Sequence, residues 1–314
     1  MSCMGMALQT TRKILLWSTL AGPHDGIRRA TGSAYCYSCR ELPRQATSEQ
    51  ISNYCAVTRR LFAPIAKAFG ARDNSLWVLR HYLALKFVTA ASLLAGSAQY
   101  AFERNLLIGV PYFNYYAVLN ACRAYLLTSP HVKWDGHKTV EMTHENILNR
   151  TAEYMRALDP VRRLAWRERL AALRNHRELF SYRFPLSGPD LIGREALDPG
   201  AVTELACLIA ELASLNSECF QGSLEKHASD ELDVPAIPDH VWSSVYELAG
   251  SAAADPLDRE RFGKFVRGWK TVSTLEVMAY DGLMEDLYGS WTDADPIMDD
   301  AFDPDDYSRL LLAL

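Results

Sequence analysis

One stretch limits this chain more than any other: residues 109–127, "GVPYFNYYAVLNACRAYLL", open on Gly109 and Pro111 and then run apolar and aromatic with a single charge, Arg123. Proline sits comfortably in a first helical turn, so the break predicts a helix starting there and continuing to Leu127. Tyr112, Tyr115, Tyr116, Leu119, Ala121, Tyr125 and Leu126 cover most of its circumference. A helix that is apolar all round has to be enclosed by other elements. This segment is therefore expected at the centre of a helical bundle. Its polar residues are Asn114, Asn120 and Arg123; the last two are three apart and share a face, either a narrow solvent edge or a polar line toward a cleft or partner.

The flanking patterns supply the enclosing helices. From Asn74 or Ser75, read as cap residues, Leu76, Leu79, Leu83, Phe87, Ala90, Leu94 and Ala98 step by threes and fours to about Arg104. A helix beginning at Ser48 precedes it and is interrupted by Pro64 and Gly70. After Thr143, the stripe Ile147, Leu148, Thr151, Tyr154, Met155 and Leu158 marks another helix. Asp159-Pro160 ends that one and opens the next, about Val161 to Tyr182, which is expected to bury Leu164, Trp166, Leu170, Leu173 and Phe180. Residues 184–200, "FPLSGPDLIGREALDPG", read as a linker, after which Asp198-Pro199 starts a helix to about His227. Two or three helices follow between Asp239 and Tyr288. No alternating β-branched run is long enough for a convincing strand.

The expected fold is all-α: a loosely ordered extension over 1–48, a helical bundle over 49–185, and a second helical domain over 198–314 with an acidic end. A chain of 314 residues is long enough for about two cores. Residues 12–22 have the charged start and short apolar core of a signal peptide, but no clean small-x-small cleavage site follows. The charge-free run from Phe87 to Phe102 is 16 residues long, short of the roughly 20 that span a bilayer. A soluble, cytoplasmic protein with no membrane partner is expected.

Net charge of −5 argues against a globally basic nucleic-acid binder, yet the charge is uneven. Residues 150–183 hold nine arginines against four acids, whereas residues 290–314 hold seven aspartates against Arg309 alone. Solvated helix faces produce such asymmetry, and so do a basic functional face and an acidic tail. The seven cysteines, at 3, 36, 39, 55, 122, 207 and 219, include one close pair, Cys36 and Cys39, with no further ligands at zinc spacing. There is no Gly-rich phosphate loop, HExxH or Gly-x-Ser-x-Gly elbow. The acidic end "DADPIMDDAFDPDDY" lacks the Gly and terminal Glu of a calcium loop.

The basic helix carries the clearest chemistry. Arg162, Arg169, His176 and Arg183 recur every seven residues on one helix line, flanked by Arg174, Asn175 and Arg177. One reading is a solvated basic stripe opposite Trp166, Leu170 and Leu173. The other uses Arg169 and His176: an imidazole that titrates near neutrality can move protons at an RNA 2′-hydroxyl and leaving oxygen. A guanidinium can hold the phosphate and the charge developing on it.

"PYFNYYAVLNACRAYLL", then "TVEMTHENILNRT", then "RLAALRNH" resemble the helical order of HEPN domains over roughly residues 74–185. In that family a Tyr-rich helix is followed by a Thr-His turn, here His144, and a later Arg-x4–6-His motif. The resemblance implies metal-independent RNA cleavage at a dimer interface, without a cofactor, in a toxin or anti-phage setting. Carried onto this sequence, Arg169 contacts phosphate and His176 is the general acid/base, while Arg174, Asn175, Arg123 and Arg183 bind RNA. Leu170 stands where the family usually has a polar residue, and no histidine follows Arg174-Asn175 in range. The alternative is a non-catalytic helical module holding a protein partner or a nucleotide; a metal-dependent enzyme using the C-terminal acids is a third reading.

Overall fold

The computed structural model describes residues 39–135, 137–228, 247–248, 251–252, 255–268, 272–279, 290–291 and 301–304. Seven helices longer than one turn account for most of them: α1 (Ser48–Lys67), α2 (Ala71–Glu103), α3 (Val110–Thr128), α4 (His144–Met155), α5 (Arg163–Glu178), α6 (Pro199–His227) and α7 (Pro256–Gly268). The fold is all-α; a two-residue antiparallel pairing of Glu247–Leu248 with Ser251–Ala252 is the only strand pairing among the described residues.

α3 is the centre, as its composition requires. Fifteen of its 19 residues are buried, and it packs on α2, α6, α4 and α5. Its polar side chains face inward rather than forming a solvent edge: Asn114 donates to the Leu197 carbonyl (3.1 Å), and Asn120 is itself buried. The C-terminal end of α3 is closed by Arg80 of α2, whose Nε donates to the Leu127 carbonyl (2.7 Å) and Nη2 to the Ser129 carbonyl (2.9 Å). These contacts satisfy carbonyls that a helix end leaves open. Burial pulls the Arg80 pKa down to about 9, still charged at neutrality, and its guanidinium lies 3.7 Å over the Trp77 ring.

Several helix starts follow local signals. The Thr47 hydroxyl accepts from the Gln50 amide (3.2 Å) while the Gln50 side chain accepts from the Thr47 amide (2.8 Å), a reciprocal cap at α1. Thr143 caps α4 by accepting from the Asn146 amide (3.4 Å), and Asp198 caps α6 by accepting from the Gly200 amide (2.9 Å). Asp159 accepts from the amides of Val161 (2.9 Å) and Arg162 (3.3 Å) at the entrance to α5.

Other expectations are corrected. α1 runs through Pro64 to Lys67 instead of stopping at the proline. α2 begins at Ala71, with the Asp73 carboxylate reaching back to the Gly70 amide (3.3 Å). Asn74 is therefore inside the helix, and its buried side chain accepts from the Val272 amide (3.1 Å), tying a distant segment to the bundle. α2 is long and apolar enough to cross a membrane by length and composition, but its apolar window is largely buried within the protein, the setting of a core helix. Leu164 is 64% exposed and Leu173 half-buried, so α5 rests on the bundle through Trp166 and Leu170.

The core also ignores the boundary expected at 184–200. Twenty of the 29 residues of α6 are buried, and α6 packs chiefly on α3 and α1. One hydrophobic cluster runs from Cys39 to Ala279. Nor is the N-terminal segment loose up to residue 48. Residues 42–45 form a single turn, Leu42 is fully buried, and the Glu211 carboxylate of α6 accepts from the amides of Arg40 (2.6 Å), Glu41 (3.1 Å) and Leu42 (2.6 Å). α7 joins the bundle through Asp258, which accepts from the Tyr82 hydroxyl (2.5 Å) and pairs with Lys86. Cys36 and most of the acidic end, with the expectations attached to them, lie outside the described residues.

Candidate anion-binding site

The expected pair does not come together as a unit. Arg169 is exposed, and its Nη2 donates to the Ala201 carbonyl at the start of α6 (2.9 Å). His176, two turns further along α5, is half-buried and its ring makes no hydrogen bond or ion pair among the described residues; burial pulls its pKa down. Arg162, on the same line, holds the carbonyl and side chain of Gln45 (3.0 and 2.8 Å). Asn175 and Arg183 are exposed. Two of the four residues on this line are thus occupied in anchoring α5 to its neighbours.

A different set of polar groups converges where α3, α4 and α5 meet. Thr143 fixes the start of α4, which puts His144 in the first turn against the Tyr115–Tyr116 step of α3. Tyr115 is buried, and its hydroxyl is 3.0 Å from His144 Nδ1. Arg177 of α5 lies over the Tyr115 ring at 5.1 Å, and Arg123 lies over Phe87 at 5.4 Å with its Nη1 donating to Asn120 (3.2 Å). The buried Nε atoms of both arginines have no hydrogen-bond partner among the described residues. A buried donor left unpaired costs about 1–3 kcal/mol, so an acceptor arriving there recovers that loss. Arg174, one turn before Arg177, is held by long ion pairs to the exposed Glu145 (3.9 Å) and to Glu178 (3.8 Å).

The charges are mutually informative. Burial, then Arg123, then Arg177 pull the His144 pKa down, so the ring is neutral at pH 7. Burial raises the Tyr115 pKa despite Arg177, which keeps the phenol protonated. Burial also lowers Arg123, but a guanidinium stays charged at neutrality. Burial opposes the charge on Arg177 as well, and is outweighed by Tyr182, Tyr116 and Tyr115, which raise its pKa. The result is a neutral imidazole held by a phenol and within the field of two cations, an arrangement that attracts an anion and can accept a proton beside it.

The helix carrying these arginines ends unusually. Leu179–Arg183 is a π-helical turn, and the Phe184 amide closes it on the Leu179 carbonyl (3.1 Å). Phe184 is in the left-handed region at φ 41°, an outlier for a bulky side chain. Tyr182 and Phe184 are 75% and 68% exposed, and Arg177 lies 5.9 Å from the Tyr182 ring.

Of the residues marked in the sequence, Arg123, Arg174 and the His144 of the Thr-His turn belong to this cluster; Tyr115 and Arg177 read there as core and flank. The i, i+3 spacing of Arg174 and Arg177 signals a shared face, but only the fold brings that face onto Tyr115 and His144. No protein-family model, curated protein or solved structure matches the chain.

Proposed function

We propose that this chain is an RNA-binding, HEPN-like cytoplasmic protein that cleaves RNA without a metal at the junction of α3, α4 and α5. The observation that carries the reading is the Tyr115–His144 hydrogen bond flanked by Arg123 and Arg177, each with a buried, unpartnered Nε. A phosphodiester brings charged acceptors to both guanidiniums, whose Nε atoms have none among the described residues, and they stabilise the charge that develops on it. His144, being neutral, takes the proton of the RNA 2′-hydroxyl. The 2′-oxygen then bonds to phosphorus, the bond to the 5′-oxygen breaks, and the leaving oxygen takes a proton from water. The products are a 2′,3′-cyclic phosphate and a free 5′-hydroxyl. Tyr115 positions the imidazole. Arg174 and Arg183 extend the basic surface along the strand, and a homodimer joined away from this face would present two such surfaces to RNA. The sequence motif makes Arg169 and His176 the competing pair; the contacts around His144 favour His144.

The test is cleavage of labelled RNA by the full chain in EDTA. His144→Ala is expected to slow cleavage by about 10²–10⁴-fold, the range for losing a general acid or base, while retaining RNA binding. Arg177→Ala weakens binding as well, since phosphate contacts supply much of the affinity. Loss of cleavage with His176→Ala and not with His144→Ala would return the chemistry to the Arg169 line. Binding without any EDTA-resistant cleavage would leave the non-catalytic module.

A further inference from the structure

The chain leaving α5 displays two aromatic rings to solvent on a backbone that resists holding one of them. A glycine would occupy the Phe184 position without strain, yet a phenylalanine stands there in the left-handed conformation and 68% exposed. It contributes little to the core, so burial does not explain it. The preceding π turn is a further departure from regular helix, and such turns concentrate at functional sites. It places Tyr182, 75% exposed, within 5.9 Å of Arg177, whose other neighbour is the Tyr115 ring. Arg183 is exposed between the two aromatics.

The surrounding charge selects among occupants. Residues 162–183 hold seven arginines against two glutamates, so a second copy of this face meets strong like-charge repulsion. An anionic polymer with flat apolar faces satisfies both features at once. We propose that Tyr182 and Phe184 form a stacking platform for unpaired bases of single-stranded RNA, whose phosphates run along Arg174, Arg177 and Arg183. This rests on the RNA-binding reading above and narrows it to unpaired strands. Bases in a duplex stack on one another and offer no open face, whereas aromatic side chains interleaved with cations suit a single strand of any sequence.

The experiment is fluorescence anisotropy of the full chain with a labelled 12-nucleotide single strand and with the same sequence as a blunt duplex, in EDTA and below the temperature at which cleavage is seen. The single strand is expected to bind at least tenfold more tightly. Tyr182→Ala and Phe184→Ala should each weaken single-strand binding by about five- to hundred-fold, as stacking losses do, and leave duplex binding unchanged. Tyr182→Trp should retain affinity and Tyr182→Leu should lose it, separating stacking from simple apolar contact. Phe184→Gly, which suits the local backbone, should lose binding while melting no lower than the parent. Equal affinity for both RNAs, undiminished by these substitutions, overturns the platform and leaves RNA binding standing. No affinity for either RNA overturns the RNA reading itself, and the platform with it. Unaltered RNA affinity in Phe184→Ala together with loss of self-association in sedimentation overturns the platform in favour of a second copy as the occupant.

Discussion

α3 and α5 are of similar length and touch each other, yet they are built on opposite rules. α3 buries fifteen of 19 residues and spends its polar groups on internal hydrogen bonds; α5 buries Trp166 and Leu170 and presents arginines. A helix enclosed on all sides cannot offer a ligand more than one edge, and α3 offers Tyr116 and Arg123. A helix held by two apolar anchors is free to carry function along the rest of its circumference. The site falls where the second kind lies across the edge of the first.

The largest test of this contrast removes the cover from α3. A chain ending at residue 185 lacks α6, which supplies twenty buried residues against α3, α1 and α2. It is expected to show no cooperative thermal transition, because the uncovered face of α3 has no other partner. A sharp melt from that fragment would restore the boundary at 184–200. Next in size, Leu119→Ala in α3 should lower stability by about 2–5 kcal/mol in chemical denaturation, through lost transfer energy and the cavity it leaves. Leu164→Ala on α5 should stay within about 0.5 kcal/mol, since that side chain is 64% exposed. Comparable losses at the two positions would erase the distinction.

Titration sharpens the same comparison. His81 is fully buried on α2, its Nδ1 2.9 Å from the Trp77 carbonyl, and burial drives its pKa to about 3. The folded protein therefore resists a proton that the unfolded chain accepts near pH 6.5. This contribution is complete above pH 6.5 and is lost as pH falls toward 3, by about 1.4 kcal/mol per unit and about 2 kcal/mol at pH 5. His81→Asn, which keeps a donor for the Trp77 carbonyl and cannot titrate, should lose about 2 kcal/mol less than the parent between pH 7.5 and 5. The same substitution at His176 on α5, a half-exposed ring, should change the slope far less. A smaller effect than that at His81, and of opposite sign to a core truncation, is expected at the end of α5: Phe184→Gly relieves a left-handed phenylalanine and should raise stability by up to about 1 kcal/mol. A loss of more than that would mean Phe184 packs on the bundle.

How much of this was readable beforehand depended on range. The central position of α3 follows from its own composition. Thr143, Asp159 and Asp198-Pro199 announce helix starts because a cap acts within three residues. What escaped depends on partners far along the chain: Asn74 serves Val272 rather than its own helix, Arg80 closes α3, and Glu211 collects the amides of residues 40–42. Leu164 and Trp166 look alike as apolar letters, but two positions apart they lie about 200° apart on a helix, so the face that buries Trp166 leaves Leu164 out. The candidate site was half visible for the same reason. Arg123, His144 and Arg174 were marked, but the hydrogen bond between Tyr115 and His144 joins two helices.

The Glu211 contacts also set an order of events during synthesis. Arg40 leaves the ribosome early, while the carboxylate that receives its amide lies 171 residues later. At about 5–20 residues per second, the partner emerges roughly 10–30 s afterwards. Throughout that interval Leu42 has no pocket and the amides of residues 40–42 have only water. The first described turn of this protein is thus among the last to dock, and its docking reports that α6 has been made and has taken its place.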